Sequence, residues 1–510
     1  MKLSRRISVD VCIIGSGFAG SLLAWALVRR GWRVALVDRQ SHPRFAIGES
    51  STPLADLLLR EIGQRYDLPE VLPLCTWGCW RESYPELRCG KKRGFSYFQH
   101  PSQSEFSESE DHDHSYMVAA TATDSQSDTH WMRSDVDAWL FECVRQAGAA
   151  VFESAEVSRV SRESDAWRLL LSERDDPSEI GARFLVDSTG SGDLVARAVG
   201  LGQSDSLLTQ TAAVFGHFRG VDSMSAVVGS PDDPFDADDA AQHHVLSNAL
   251  WCWMLRFCDG TTSVGLTGPA NQFASVKDAA SAIRCWREQV ERYPTLEQLL
   301  RRATLVDPKA GADPCLGWIP RISRLWNTAA GASWAMLPTT AGIIDPMHST
   351  GIAHALSGVW RLLDMFSSTS RDGGFPSDVL QQYSDRVVEE VQWIDLLVAL
   401  SHRAMKISMD VFVAASSFYF VAAVHCERSM ATNARDGEAM PHGFLLASSS
   451  ELRRITQEAL KRLNSLSQSP TSAAQAQFVD WTREQLKPWN DFGLLDPECR
   501  NRIWRSTAEK

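Results

Sequence analysis

Three glycines, Gly15, Gly17 and Gly20, stand in the spacing G-x-G-x-x-G directly after a short apolar run at 11–14. The first glycine of such a set permits a tight turn, the second lets backbone approach a pyrophosphate, and the third lets a helix pack close to the sheet. The helix that must follow is written in residues 21–30, and its N-terminal amides would face the phosphates. Residues 33–37 read as a second strand ending at Asp38 and Arg39. An acid about twenty residues past the glycines accepts hydrogen bonds from a ribose, which makes Asp38 the candidate and Arg39 its neighbour in the site. Strand, glycines, helix, strand and acid occur together. The N-terminus therefore reads as a dinucleotide site rather than an idle glycine turn.

Further candidates follow in Gly48-Glu49-Ser50-Ser51-Thr52-Pro53. Thr52 and Pro53 open an amphipathic helix as cap and first residue. Capping alone accounts for them, and a cofactor contact for Glu49 is an equal reading. Residues 184–192, FLVDSTGSG, read as a buried strand opening at Asp187 into a turn that holds Gly190, followed by a helix from Asp193. Such a second strand-turn unit lines the same nucleotide. No other complete fingerprint occurs, so no separate nicotinamide pocket is expected. Asp345-Pro346 reads as a turn, and Ser349-Thr350-Gly351-Ile352 opens a helix running to about Phe366. A helix start with free amides can hold an anion or the electron-rich edge of a ring.

The elements that must position these residues are those of a large globular chain. Its 510 residues suffice for one large or two intimate domains, and 44% hydrophobic with 22% charged residues is ordinary for such a protein. A net charge of −12 argues against nucleic acid and anionic membranes. No apolar run reaches the roughly 18 residues of a membrane span. MKLSRR is basic but lacks a signal-peptide core, and eleven scattered cysteines fit reduced thiols in the cytoplasm. Eighteen tryptophans suit a site for flat rings. The basic triplet Lys91-Lys92-Arg93 reads as a solvated turn before a strand at 94–98, and 101–115 as a mobile loop whose His112 and His114 need no metal. Residues 131–148 read as a helix capped by Ser134. Strands are expected at 149–152, 213–219, 250–257 and 262–266, and helices through most of the chain beyond Pro376.

The fingerprint at 15–20, GESSTP, DSTGSGDLVARAVGL and DPMHSTGIAHAL occur in the order of the flavin-dependent halogenases, and the chain resembles that branch of the FAD-dependent monooxygenase superfamily over residues 8–365. The resemblance implies an α/β fold: a Rossmann-type FAD-binding domain, p-hydroxybenzoate-hydroxylase-like, with an inserted β-sheet substrate region and a helical C-terminal part. The divisions expected are 1–205 and 336–370 for the FAD-binding region, 206–335 for the substrate region and 371–510 for the helical region. Carried over by residue, Gly15, Gly17 and Gly20 cradle the FAD pyrophosphate and Asp38 takes the ribose. Glu49, Ser50 and Ser51 lie near the flavin, and the amides of Thr350 and Gly351 form the halide site. The family takes reduced flavin from a separate reductase and, with oxygen and chloride or bromide, makes hypohalous acid that a lysine directs onto an aromatic substrate, free or carrier-bound.

The chain departs from that pattern in three places. The signature W-x-W-x-I-P appears as Trp251-Cys252-Trp253-Met254-Leu255-Arg256. The stretch where the lysine is expected, residues 76–80, has none, and Lys91 or Lys92 would have to substitute. His348 stands where tryptophan halogenases carry a glutamate, as a base or as a helix-cap neighbour. These departures leave an alternative on the same fold, a monooxygenase or dehydrogenase without halide. A flavin-binding protein without activity is a third reading that the anion-binding helix start disfavours.

Overall fold

The computed structural model describes residues 5–163, 166–172, 178–306, 316–371, 373–436 and 443–504; most of the basic N-terminal segment and Cys315 lie outside them. The chain opens with β1 (Arg5–Ile14), α1 (Phe18–Arg29) and β2 (Val34–Val37). α1 is buried from Phe18 to Leu27, which its run of alanine, leucine and glycine permits on every side. α2 (Pro53–Arg65) begins where Pro53 fixes the first helical residue. Next come β3 (Cys89–Lys92), β4 (Gly94–Gln99), β5 (Ser115–Ala119), β6 (Asp128–Trp131) and α3 (Arg133–Gln146). Two expectations fail here. The basic triplet is not a solvated turn: β3 pairs with β6, and Lys92 is fully buried opposite Asp128. Ser134 is not the cap of α3, because the helix starts two residues earlier than that cap implies, with Met132 at the cap, and the Ser134 hydroxyl bonds Asp135.

β7 (Ala150–Phe152), β8 (Glu156–Glu163), β9 (Ala166–Ser172) and β10 (Ser178–Asp187) lead to α4 (Asp193–Val199). Then follow β11 (Thr211–Arg219), β12 (Ala241–Val245), β13 (Trp251–Arg256), β14 (Thr261–Pro269), β15 (Thr304–Leu305) and β16 (Gly317–Ile319). Four short strands follow, β17 (Arg324–Leu325), β18 (Ala330–Gly331), β19 (Trp334–Met336) and β20 (Gly342–Ile343), of which β18 and β19 return the chain to the first sheet. The helical part comprises α5 (Gly351–Ser368), α6 (Ser377–Ala404), α7 (Met409–Asp436), α8 (Ser450–Leu466) and α9 (Ser472–Leu486), and β21 (Arg502–Ile503) ends the described chain.

Among the described residues two large sheets hold most of these strands, and β3 with β6 and β17 with β20 form two-stranded ribbons. The first has the order β18-β19-β10-β1-β2-β7, with β8 and β9 on its β10 side; β1 runs parallel to both β2 and β10, and Ile14 lies beside Asp187 and Val37. Connections diverge on either side of β1, so its carboxyl end is the crevice where doubly wound sheets take ligands. The second sheet has the order β15-β11-β14-β13-β12-β4-β5-β21, with β16 on β11. It draws β4 and β5 from residues well before 206, so this sheet is not built from the 206–335 segment alone. One helix segment, Met409–Thr432 of α7, is long and apolar enough to cross a membrane, which the expectation of no such run did not foresee; 83% of its most apolar window is buried against the rest of the fold. Its apolar length serves a core, where it packs on α6, α9 and α2.

Candidate functional site

The three glycines do different work. A Cβ on Gly15, whose φ is +101°, would lie 2.4 Å from the Ser188 carbonyl oxygen, and one on Gly20 would lie 2.2 Å from the Gly15 carbonyl. Both positions are closed by the protein itself. At Gly17 the nearest atoms to such a Cβ are a guanidinium nitrogen of Arg133 at 3.6 Å, one of Arg44 at 3.8 Å and a carboxylate oxygen of Asp137 at 3.8 Å. At Gly17 a Cβ would thus make only ordinary contacts, and the backbone there lies under two guanidinium groups at the start of α1, a cradle that fits a diphosphate. Arg44 Nε is buried without a hydrogen-bond partner, which an anion there would supply. The residues present fit the diphosphate of FAD.

Asp38 closes this end. Its Oδ2 accepts from the Ser16 amide at 2.8 Å, the Ser16 hydroxyl at 2.9 Å and Arg44 at 3.2 Å, and its Oδ1 from the Gln40 amide. Burial raises this carboxyl, but Arg44 and the amides outweigh it and hold it below its ordinary value. Arg39 is exposed, and Arg44 rather than Arg39 supplies the positive charge here. Arg133 pairs with Asp137 and also donates to the carbonyls of Ile47 and Gly48, so one guanidinium ties the glycine loop to the Glu49 segment. Sequence reading missed Arg44 and Arg133. Only the Arg133–Asp137 spacing, one helical turn, carried a signal.

The Glu49 segment runs alongside β6. The Glu49 carbonyl accepts from Trp131, Ser50 bridges to His130, and the Ser51 amide donates to Thr129. Glu49 and Ser50 line a cavity of about 180 Å³. Ser50 Oγ is buried with no partner. Across the cavity lie Pro346, Ser349, Thr350, Gly351 and Ile352, and the sheet side carries Trp251, Trp253 and His243. On β10, Asp187 Oδ1 holds the amide and hydroxyl of Thr189, burial raises its carboxyl, and a Cβ on Gly190 would meet nothing within 4 Å. Asp345 does not face the cavity freely: its Oδ2 accepts from Thr267 and its Oδ1 from the Met347 amide, locking the turn before α5 to β14.

α5 starts at Thr350, which makes no side-chain cap, and no acid lies in its first turn; a Cβ on Gly351 would meet nothing within 4 Å. A helix start of this kind leaves amides for an anion. His348, just before it, turns away toward the C-terminal helices. Its Nε2 bonds Ser401 Oγ at 3.0 Å and its ring stacks on Tyr419 at 4.2 Å. Burial pushes it well below its ordinary pKa, so it is a neutral, packed imidazole.

Thr350 also lines a second, smaller cavity of about 40 Å³ on the far side of this turn, with Phe95, Tyr419, Phe420, Phe444 and Glu427 around it. The two lysines part company near it. Lys92 donates to the Ser51 carbonyl, and its Nζ lies 4.2 Å from the centre of the Phe95 ring. Lys91, on the opposite face of β3, bridges Asp124 at 2.6 Å and Asp239 at 2.7 Å. Trp251, Trp253 and Leu255 face the larger cavity, whereas Arg256 points away to Asp238 and the Val221 carbonyl. Strand alternation thus keeps the three signature positions that differ least on the cavity wall.

A family model for FAD dependent oxidoreductases matches residues 10–344. Tetracycline 7-halogenase of Kitasatospora aureofaciens is 28% identical over 69% of this chain and 63% of its own length. Monodechloroaminopyrrolnitrin halogenase PrnC of Pseudomonas fluorescens is 23% identical over 75% of this chain and 65% of its own length. The chain therefore spans just under two thirds of these relatives. Among solved structures, halogenase PltM in complex with phloroglucinol and FAD superimposes with a TM-score of 0.85 over 97% of this chain and 99% of PltM at 22% identity, a likeness of fold. With its fingerprint, its cradle and more than half its length matched, this chain belongs to the FAD dependent oxidoreductase family.

Proposed function

We propose that the protein is a two-component flavin-dependent halogenase acting on a small electron-rich aromatic ring. The observation that carries this reading is the pair of cavities meeting at Thr350, one beside the glycine and Glu49 segments and one lined by aromatic rings beyond it. Halogenation needs the substrate kept apart from the flavin, and two chambers that share Thr350 on their walls are in keeping with that separation. Reduced FAD from a separate reductase, when bound, supplies with oxygen the oxidising equivalent that converts chloride or bromide to hypohalous acid. The amides of Thr350 and Gly351 hold the halide. Lys92, whose Nζ lies 4.2 Å from the centre of the cavity-lining Phe95 ring, donates a hydrogen bond to the hypohalous acid and orients it toward the aromatic substrate. Trp251 and Trp253 wall off the flavin side. Lys91, committed to two carboxylates, takes no part.

One observation favours a second reading. The flavin-side cavity is the roomier of the two, so a ring could sit directly beside the flavin and receive oxygen. Turnover with FAD, a flavin reductase, NADH, oxygen, bromide and a panel of phenols, pyrroles and indoles, read by mass spectrometry, separates the readings. A bromine isotope pair in a product supports the halogenase. A product that gains oxygen alone overturns it in favour of the monooxygenase.

A further inference from the structure

We propose that His217 is the proton partner of Glu49, and that the two form a one-proton pair which compensates the charge of reduced flavin at the cavity wall. His217 Nε2 lies 2.6 Å from Glu49 Oε1, and the residues are 8% and 3% exposed. They are 168 positions apart and come from different layers, His217 from β11 and Glu49 from the segment beside β6. Neither can drift. The Glu49 carbonyl is held by Trp131, and the His217 ring packs against Phe45 at 4.9 Å and Phe257 at 5.9 Å. Among the described residues His217 is the only hydrogen-bonding or ionic partner of the Glu49 carboxylate.

The other charged groups nearby are engaged elsewhere. Arg133 is bonded to Asp137 and to the Ile47 and Gly48 carbonyls, and Lys92 donates to the Ser51 carbonyl. His354, on the cavity wall, is bonded to Glu390. His243 bonds the Ala241 carbonyl, and His130, across from Ser50, the Ala240 carbonyl. Asp56 accepts from Ser51, and Asp345 from Thr267. On β11 itself Arg219 pairs with Asp259. The charge of the wall at Glu49 is therefore set by the proton content of the pair. With the imidazole neutral, its N–H donates to the carboxylate and the pair is anionic. With one more proton the pair is an imidazolium–carboxylate and carries no net charge.

A flavin that gains two electrons and one proton is anionic. A second proton taken by the pair keeps wall and ring together at constant charge, which a desolvated site favours. The electrons come from the flavin reductant, and both protons from solvent. This inference rests on FAD binding and not on halogenation, so its test contains no halide and no aromatic substrate.

The experiment counts protons taken up when the FAD-loaded protein is reduced by a chemical reductant in weakly buffered solution above neutral pH, with a pH indicator. The wild type is expected to take up two protons per two electrons, and Glu49→Gln and His217→Gln one each, with Glu49→Gln/His217→Gln no different from either. Uptake of one proton by the wild type overturns the proposal. So does retention of the second proton in Glu49→Gln, which preserves the shape of the side chain and keeps the test readable if His217→Gln does not fold. An additional loss in the double variant beyond the single ones shows that His217 acts independently of Glu49, and also overturns it.

Discussion

The Nζ of Lys92 sits 4.2 Å from the centre of the Phe95 ring, and Phe95 lines the inner cavity behind Thr350. Two residues separate them in sequence, but one belongs to β3 and the other to β4, so a lysine on a two-stranded ribbon is delivered against a strand inside the large sheet. Its burial opposite Asp128 explains how an ammonium is tolerated there.

Lys92→Met fills the same space without the ammonium. Product halogenation should fall by about 10²–10⁴-fold, the range for losing a positioned proton-bearing group. Reductase-driven oxygen consumption should continue. Lys91→Ala should leave turnover within a few-fold of wild type, because it removes only surface-side ion pairs. Product analysis and oxygen uptake on the three proteins check this.

The fingerprint glycines should separate folding from binding. Gly20→Ala places a Cβ against the Gly15 carbonyl and should lower the melting temperature sharply. At Gly17 a Cβ makes only ordinary contacts of 3.6–3.8 Å, so the Gly17→Glu apoprotein should melt close to wild type, while its carboxylate occupies the cradle under Arg44 and Arg133 and yellow cofactor is lost on purification. Gly351→Ala meets nothing in the protein; it should fold normally and raise the bromide KM several-fold.

Glu390 is buried between Arg361, at 2.6 and 2.8 Å, and His354 at 3.2 Å. Burial raises its carboxyl, but Arg361 and His354 outweigh burial and hold it well below its ordinary value of 4.5. A depressed carboxylate stabilises the fold above the unfolded pKa and loses that contribution as pH falls below about 4.5. Glu390→Gln should therefore cost about 3–5 kcal/mol at neutral pH, the range for breaking a buried pair, and less toward pH 3. Denaturant melts across that window test it.

Buried histidines should dominate acid unfolding at milder pH. Burial lowers His100 and His130 to about 3, His243 to about 4, and His244 and His348 well below their ordinary 6.5. The unfolded chain then binds more protons than the native one below pH 6.5, so stability falls with pH by about 1.4 kcal/mol per unit for each residue until its own folded value is reached. Denaturant midpoints at pH 7.5, 6 and 5 should decline steeply, and His244→Gln should flatten the slope.

Local pattern sufficed for much of this protein. The glycine spacing, the apolar runs and the Ser-Thr-Gly helix start are determined within a dozen residues by turn geometry, strand burial and unsatisfied amides, and the structure puts β1, β10, β13 and α5 where those patterns ask. What the sequence could not contain is which distant groups meet. Lys91 and Lys92 are adjacent and chemically identical in the chain, and only the pairing of β3 with β6 sends one to carboxylates and the other into the interior. His348 reads equally as base or packing until Ser401 and Tyr419 arrive from helices dozens of residues later. His217 carries no short-range signature because its partner Glu49 lies 168 residues away, and Arg44 and Arg133, though paired locally with Asp38 and Asp137, meet over Gly17 only in the folded chain. Periodicity encodes burial along one element, whereas a charged site is a property of several elements brought together, and that is decided by the tertiary fold.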